Sequence, residues 1–155
     1  MNYWLIKSEG ACYSIEDLEK DKRIDWFGVR NFQARNFMRD DMKVGDMALF
    51  YHSNSKPSGV YGVARVASAV HPDLTALDKK DKHYDPRSTK TKPIWECVDF
   101  EFVQKFREPI SLQYIKIDPK LCEMLVAKKG QRLSVMPVSK THFERVVARG
   151  NIKVQ

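Results

Sequence analysis

The sequence predicts an α+β fold, a strongly bent sheet or small β-barrel with peripheral helices. Aromatic and β-branched segments that read as strands recur along the chain, while helical patterns follow the first strand and close the sequence. No repeat, heptad or linker divides it. With 155 residues, 43% of them hydrophobic and 11% aromatic, the chain is long enough to bury a core and too apolar for disorder, so residues 1–155 are expected to form one domain.

Residues 2–7 (NYWLIK) have the composition of an opening strand. Ser14 with Asp17 three residues on forms a capping-box pattern for a short helix to about Lys20. Asn31 is placed to cap a second helix through about Met42, with Ala34, Phe37, Met38 and Met42 on one face. Gly45-Asp46 ends it and leads into the strand MALFY. A loop at 52–59 precedes a strand at 61–70, and residues 78–93 are charged, hold two prolines and show no apolar period. Val98, Phe100 and Phe102 alternate with acidic residues as in a half-buried strand. LSVMPV at 133–138 predicts another, ending at Pro137. Ser139 caps a last helix, for which Gly150 is read as the C′ stop.

The chain carries 27 Lys and Arg against 20 Asp and Glu, a net +7. Residues 1–55 sum to −1 and residues 56–155 to +8, so the excess is localised and suits a polyanionic partner. Cys12, Cys97 and Cys122 are odd in number and show no CxxC or Cys/His spacing. They predict neither a disulfide framework nor a metal site, and read as reduced thiols of a cytoplasmic protein. No apolar run is long enough to span a bilayer, so no membrane partner is expected. No cofactor signature is present.

Polar and aromatic residues gather at element ends in Lys7-Ser8-Glu9, Trp26–Asn36, Tyr51–Asn54 and Arg132–Val138, where a rigid scaffold could present them on one rim. The segments WLIKSE, GVRNFQARN, LFYHSN, HYDPRS and RLSVMPV, in this order, resemble the EVE domain of the PUA-like superfamily, and the resemblance runs from Asn2 to about Val147. It implies a PUA-like barrel with a cleft for an extruded base, related to readers of methylated adenine, in a family linked to modified cytosines in DNA. Carried onto this sequence, the base pocket would comprise Lys7, Ser8, Trp26, Val29, Arg30, Asn31, Tyr51, His52, Ser53, Asn54, Arg132 and Ser134. Arg35, Asn36, Tyr84, Arg87, Lys90 and Lys92 would meet the nucleic-acid backbone. Gly10 stands where the family commonly has proline, and Phe32 where it has tyrosine.

The resulting expectation is a nucleic-acid-binding module, monomeric and not an enzyme, that favours DNA over RNA and holds a flipped, modified cytosine. Trp26 and Tyr51 are the expected aromatic walls, since stacking at ~1–3 kcal/mol per base can offset the cost of extrusion. The alternative is an enzyme of the related ASCH type, a ribonuclease or amidohydrolase, with Lys7, Tyr51, His52 and Asp85 as acid–base candidates. A lysine perturbed by its place in the cleft would favour chemistry there. A third reading, a protein-interaction module, requires an exposed apolar patch. Eukaryotic members of the family usually carry a basic N-terminal extension; here the fold is expected to begin at Met1, which suits a cytoplasmic protein, or a nuclear one in a eukaryote.

Overall fold

The computed structural model describes residues 1–151. The opening strand β1 (Tyr3–Glu9) turns into α1 (Ile15–Asp21), whose Ser14–Asp17 capping box forms in full. A short β2 (Arg23–Asp25) and an extended segment lead to α2 (Phe32–Asn36), capped by the Asn31 side chain. The strands β3 (Met47–Ser53) and β4 (Gly59–Val66) follow, then a two-residue pair, β5 (His71–Pro72) with β6 (Glu96–Cys97). The long β7 (Asp99–Ser111) continues into α3 (Leu112–Ile117). The chain closes through β8 (Val135–Val138) and α4 (Lys140–Gly150), capped by Ser139.

Six strands form one sheet in the order β2-β7-β4-β3-β1-β8. Only β1 and β3 run parallel within it; the other neighbours are antiparallel. Irregularities at Phe50/Tyr51, Val60/Gly62 and Val63/Ala64 bend the sheet, because a bulge adds local twist to the strand that carries it. Gly62 lets α1 sit close, since a Cβ there would lie 2.8 Å from Ile15 Cγ1. Leu5, Ile6, Ile15, Leu18, Phe50 and Phe100, all fully buried, belong to one core that the sheet and α1 share.

Several elements depart from the expectations. The helix at 31–42 is a short α-helix followed by a π-helical turn, Phe37–Asp41. The strand expected at 61–70 is Gly59–Val66, and the one at 98–102 runs on to Ser111. Helix α3 was not anticipated. Gly150 is not a C′ stop: it lies inside α4 and buries against Phe106, whose Cγ would be 2.4 Å from an added Cβ. Residues 78–93 are ordered by successive turns, among them Asp81 N–H to Asp78 O at 3.0 Å and Ser88 N–H to Asp85 O at 3.0 Å.

Candidate nucleic-acid interface

The end of β1, the turn after it, the segment Ile24–Asn31, the loop Lys80–His83 and Ser134 enclose an open cleft of about 850 Å³. That volume lies within the ~300–1,000 Å³ range of small-ligand sites. Lys7 reaches the cleft because the β8 ladder stops at Ile6; beyond it, the Lys7 N–H donates to Ser134 O at 2.8 Å.

Trp26 forms part of the floor. Its indole stands edge-on to Phe50 and Phe100, each at a centroid distance of 5.6 Å, and only 7% of the residue is exposed. Phe27, 44% exposed, meets His83 in a T-shaped contact with ring centroids 5.9 Å apart. Gly28 has φ +85°, and a Cβ there would lie 2.8 Å from His83 Nε2. Glycine at this position therefore lets the two walls meet.

Arg30 is the tie between those walls. Its Nη1 donates to Asp73 Oδ2 at 3.0 Å and to Val29 O; its Nη2 donates to Thr75 Oγ1 and to His83 O at 2.7 Å; its Nε also donates to His83 O. All five guanidinium hydrogens are engaged, and the group lies 5.2 Å from the Trp95 ring centroid. Burial alone would raise the Asp73 carboxyl, yet hydrogen bonds from Thr75, the Gly28 N–H and Arg30 outweigh it and hold the group below the usual carboxylate range. Arg30 thus shapes the cleft without a donor to spare for a ligand.

Lys7 differs in kind. Its Nζ lies 5.6 Å from the Tyr51 ring centroid, and it makes no ion pair among the described residues. Burial lowers its pKa from the ordinary lysine value. Ser8 donates its hydroxyl to Tyr13 O at 2.7 Å.

Of the residues expected in the pocket, the cleft brings together Lys7, Ser8, Trp26, Val29, Arg30, Asn31 and Ser134. It does not include Tyr51, His52, Ser53, Asn54 or Arg132. Tyr51 is buried beneath Lys7. His52 is a core residue: its Nε2 accepts the Ile15 N–H at 3.0 Å and its ring stacks on Tyr61 at 3.8 Å. Ser53 donates to Ser8 O, and Asn54 to Glu9 Oε1, so both brace the β1 turn. Arg132 is exposed outside the cleft.

The residues expected on the phosphate side lie beyond the cleft lining. Arg35 is spent on Ile94 O and the Asn36 side chain and lies over the Phe32 ring, which itself stacks on Trp95 at 4.7 Å. Tyr84 is half-buried in a turn. Arg87 pairs with Asp85, and this pairing, with the Trp95 N–H, holds that carboxyl well below its usual range. Lys90 and Lys92 are exposed. Phe27 and Gly28, inside the Trp26–Asn36 segment that the sequence singles out, and Lys80–His83 line the cleft without having been named as site residues. Among the described residues, no group of three His, Cys, Asp or Glu is placed to hold a metal ion.

A helix-flanked, curled half-barrel with an open cleft at the rim defines a PUA-like domain. The chain belongs to the EVE domain family, whose model matches residues 2–149. Thymocyte nuclear protein 1 of Gallus gallus is 38% identical over 94% of this chain and 67% of that protein; the Homo sapiens protein is 36% identical over 95% and 73%. Among solved structures, a Pseudomonas putida protein is similar at 43% identity and TM-score 0.91, covering 96% of this chain and 99% of that one. Human THYN1 in complex with 5-methylcytosine-containing DNA is similar at 35% identity and TM-score 0.89, covering 99% of this chain and 100% of that one. An ASCH protein from Zymomonas mobilis, 13% identical with TM-score 0.55, shares the fold alone. No helix among the described residues is long and apolar enough to cross a membrane.

Proposed function

We propose that this chain binds DNA as a single-domain, monomeric, non-enzymatic reader that holds a flipped-out, modified cytosine in the cleft. The observation that carries the reading is its likeness, over 99% of the chain, to a protein solved with 5-methylcytosine-containing DNA. The cleft residues supply matching chemistry. The exposed ring of Phe27 beside Trp26 offers a stacking surface, at ~1–3 kcal/mol per base. Lys7 offers a donor to the acceptors on the cytosine edge, and Ser8 and Ser134 offer hydroxyls. Exposed Lys80 and Lys82 at the mouth suit phosphates. Lys90, Lys92 and Arg132 would extend that contact, while Arg30, Arg35 and Asn36 act by positioning. A cytoplasmic location accords with the reduced thiols, one of which, Cys97, burial pushes far above its usual range.

Fluorescence anisotropy with matched duplexes differing by one 5-methyl group tests this reading. Preference for the methylated duplex by ~1–3 kcal/mol is expected. Phe27→Ala should weaken binding and leave the melting temperature almost unchanged, because the ring is already exposed. Equal affinity for both duplexes would remove the reading.

A further inference from the structure

Lys7 is the one lysine among the described residues that is not exposed. Others sit in water, some with carboxylate partners, as Lys105 with Glu16 at 2.9 Å and Lys128 with Glu123 at 2.9 Å. Lys7 instead lies at the cleft wall over the Tyr51 ring, without an ion pair among the described residues. An ammonium that loses hydration and gains no anion gives up its proton more readily, and burial lowers the pKa of this group accordingly. The free amine is the nucleophile, so a desolvated lysine in a hollow open to ligands has the setting that favours attack on a carbonyl.

We propose that Lys7 forms a reversible imine with an aldehyde carried by a nucleotide seated in the cleft. Two nucleotides bear this chemistry, an oxidised cytosine with a 5-formyl group and an abasic site whose ring-opened deoxyribose exposes an aldehyde carbon. The inference rests on the reading of the cleft as a nucleotide site. The Nζ lone pair attacks the carbonyl carbon to form the C–N bond, and the C=O π pair moves to oxygen, which takes a proton. The carbinolamine then loses that oxygen as water, with the remaining N–H proton, and leaves C=N. No oxidant or reductant is consumed. The open mouth lets water return, and addition of that water to C=N regenerates the amine and the aldehyde. A methyl group offers no such carbon. The same cleft would therefore bind methylated DNA transiently and aldehyde-bearing DNA with a longer residence.

The test incubates the unaltered chain with duplexes that are unmodified or carry one 5-methylcytosine, one 5-formylcytosine or one abasic site. Cyanoborohydride reduces any imine to a stable amine, denaturing electrophoresis detects the adduct, and peptide mapping locates it. The expected result is an adduct with an aldehyde duplex, none with the other two, mapped to Lys7 and lost in Lys7→Arg and Lys7→Met. Reaction with the formyl duplex alone assigns the base aldehyde, and with the abasic duplex alone the sugar aldehyde. Because the mapping uses the unaltered chain, misfolding of a variant cannot imitate the result. Reversible binding of the methylated duplex without any aldehyde adduct overturns the imine and leaves the reader intact. An adduct mapped to Lys80, Lys82 or elsewhere also overturns it. Absence of both binding and adduct overturns the nucleotide site itself.

Discussion

His52 and His71 answer a change of pH in opposite senses. Burial lowers the pKa of His52, which stays neutral to accept the Ile15 N–H, against weaker opposing influence from Glu16 and Asp17. As pH falls below the unfolded value of about 6.5, the unfolded chain binds the proton first, so stability is lost through that window. Burial also acts to lower His71, but its contact with Asp99 at 2.7 Å and the Pro72 carbonyl outweigh that and raise its pKa. Its contribution is present below about pH 6.5 and fades as pH rises through the folded value. Denaturant titrations at about pH 7 and about pH 5 should show less acid sensitivity in His52→Gln than in the unaltered chain. At Trp26 the expected cost is structural: Trp26→Ala should lose about 3–5 kcal/mol of stability, read by urea unfolding, because the indole packs on Phe50 and Phe100. The sequence motif marked both Trp26 and Tyr51, yet could not tell a cleft floor from a core residue. β3 is buried continuously from Ala48 to His52, so it shows no alternation from which the facing of Tyr51 or His52 could be read.

At the scale of elements, the loop between β5 and β6 is tied to the cleft segment by the Arg30–Asp73 pair. The Asp73 side chain is 2% exposed and that of Arg30 24%, and removing one partner of such a buried pair costs about 3–5 kcal/mol. Arg30→Met should therefore destabilise by that order and raise amide exchange in residues 74–84 before the sheet, as measured by hydrogen exchange with mass spectrometry. Helix α4 has a different dependence: Gly150→Ala should cost about 1–3 kcal/mol, visible as a lower melting temperature, as the new methyl meets Phe106. These features explain what was legible. Caps at Ser14, Asn31 and Ser139 are local and were read correctly. The order of the 78–93 loop comes from Arg30, which reaches His83 O across 53 residues of sequence, and from the Trp95–Asp85 contact. Neither leaves a periodic trace, so the charged stretch showed no elements, and the HYDPRS motif pointed to Tyr84 and Arg87 where the cleft wall is Lys80–His83.

For the molecule as a whole, the +7 charge implies binding that weakens with salt. Each phosphate contact contributes a slope of about −0.9 in log K against log salt on duplex DNA. Lys82→Gln should flatten the measured slope by about that amount while lowering affinity for methylated and unmodified duplexes alike. Base discrimination should survive, because Lys82 is exposed at the mouth.

The place of β1 between β3 and β8 carries a consequence for the protein's synthesis. Its two sheet neighbours are β3, at Met47–Ser53, and β8, at Val135–Val138. β1 must therefore wait for β8, made much later, before both its edges are paired. The bond from Lys7 to Ser134 completes the cleft, so a nascent chain stalled short of β8 has Lys7 but no finished hollow around it. Recognition is in this sense a property of the completed chain, and cutting the polypeptide ahead of β8 should silence it even where the remaining sheet persists.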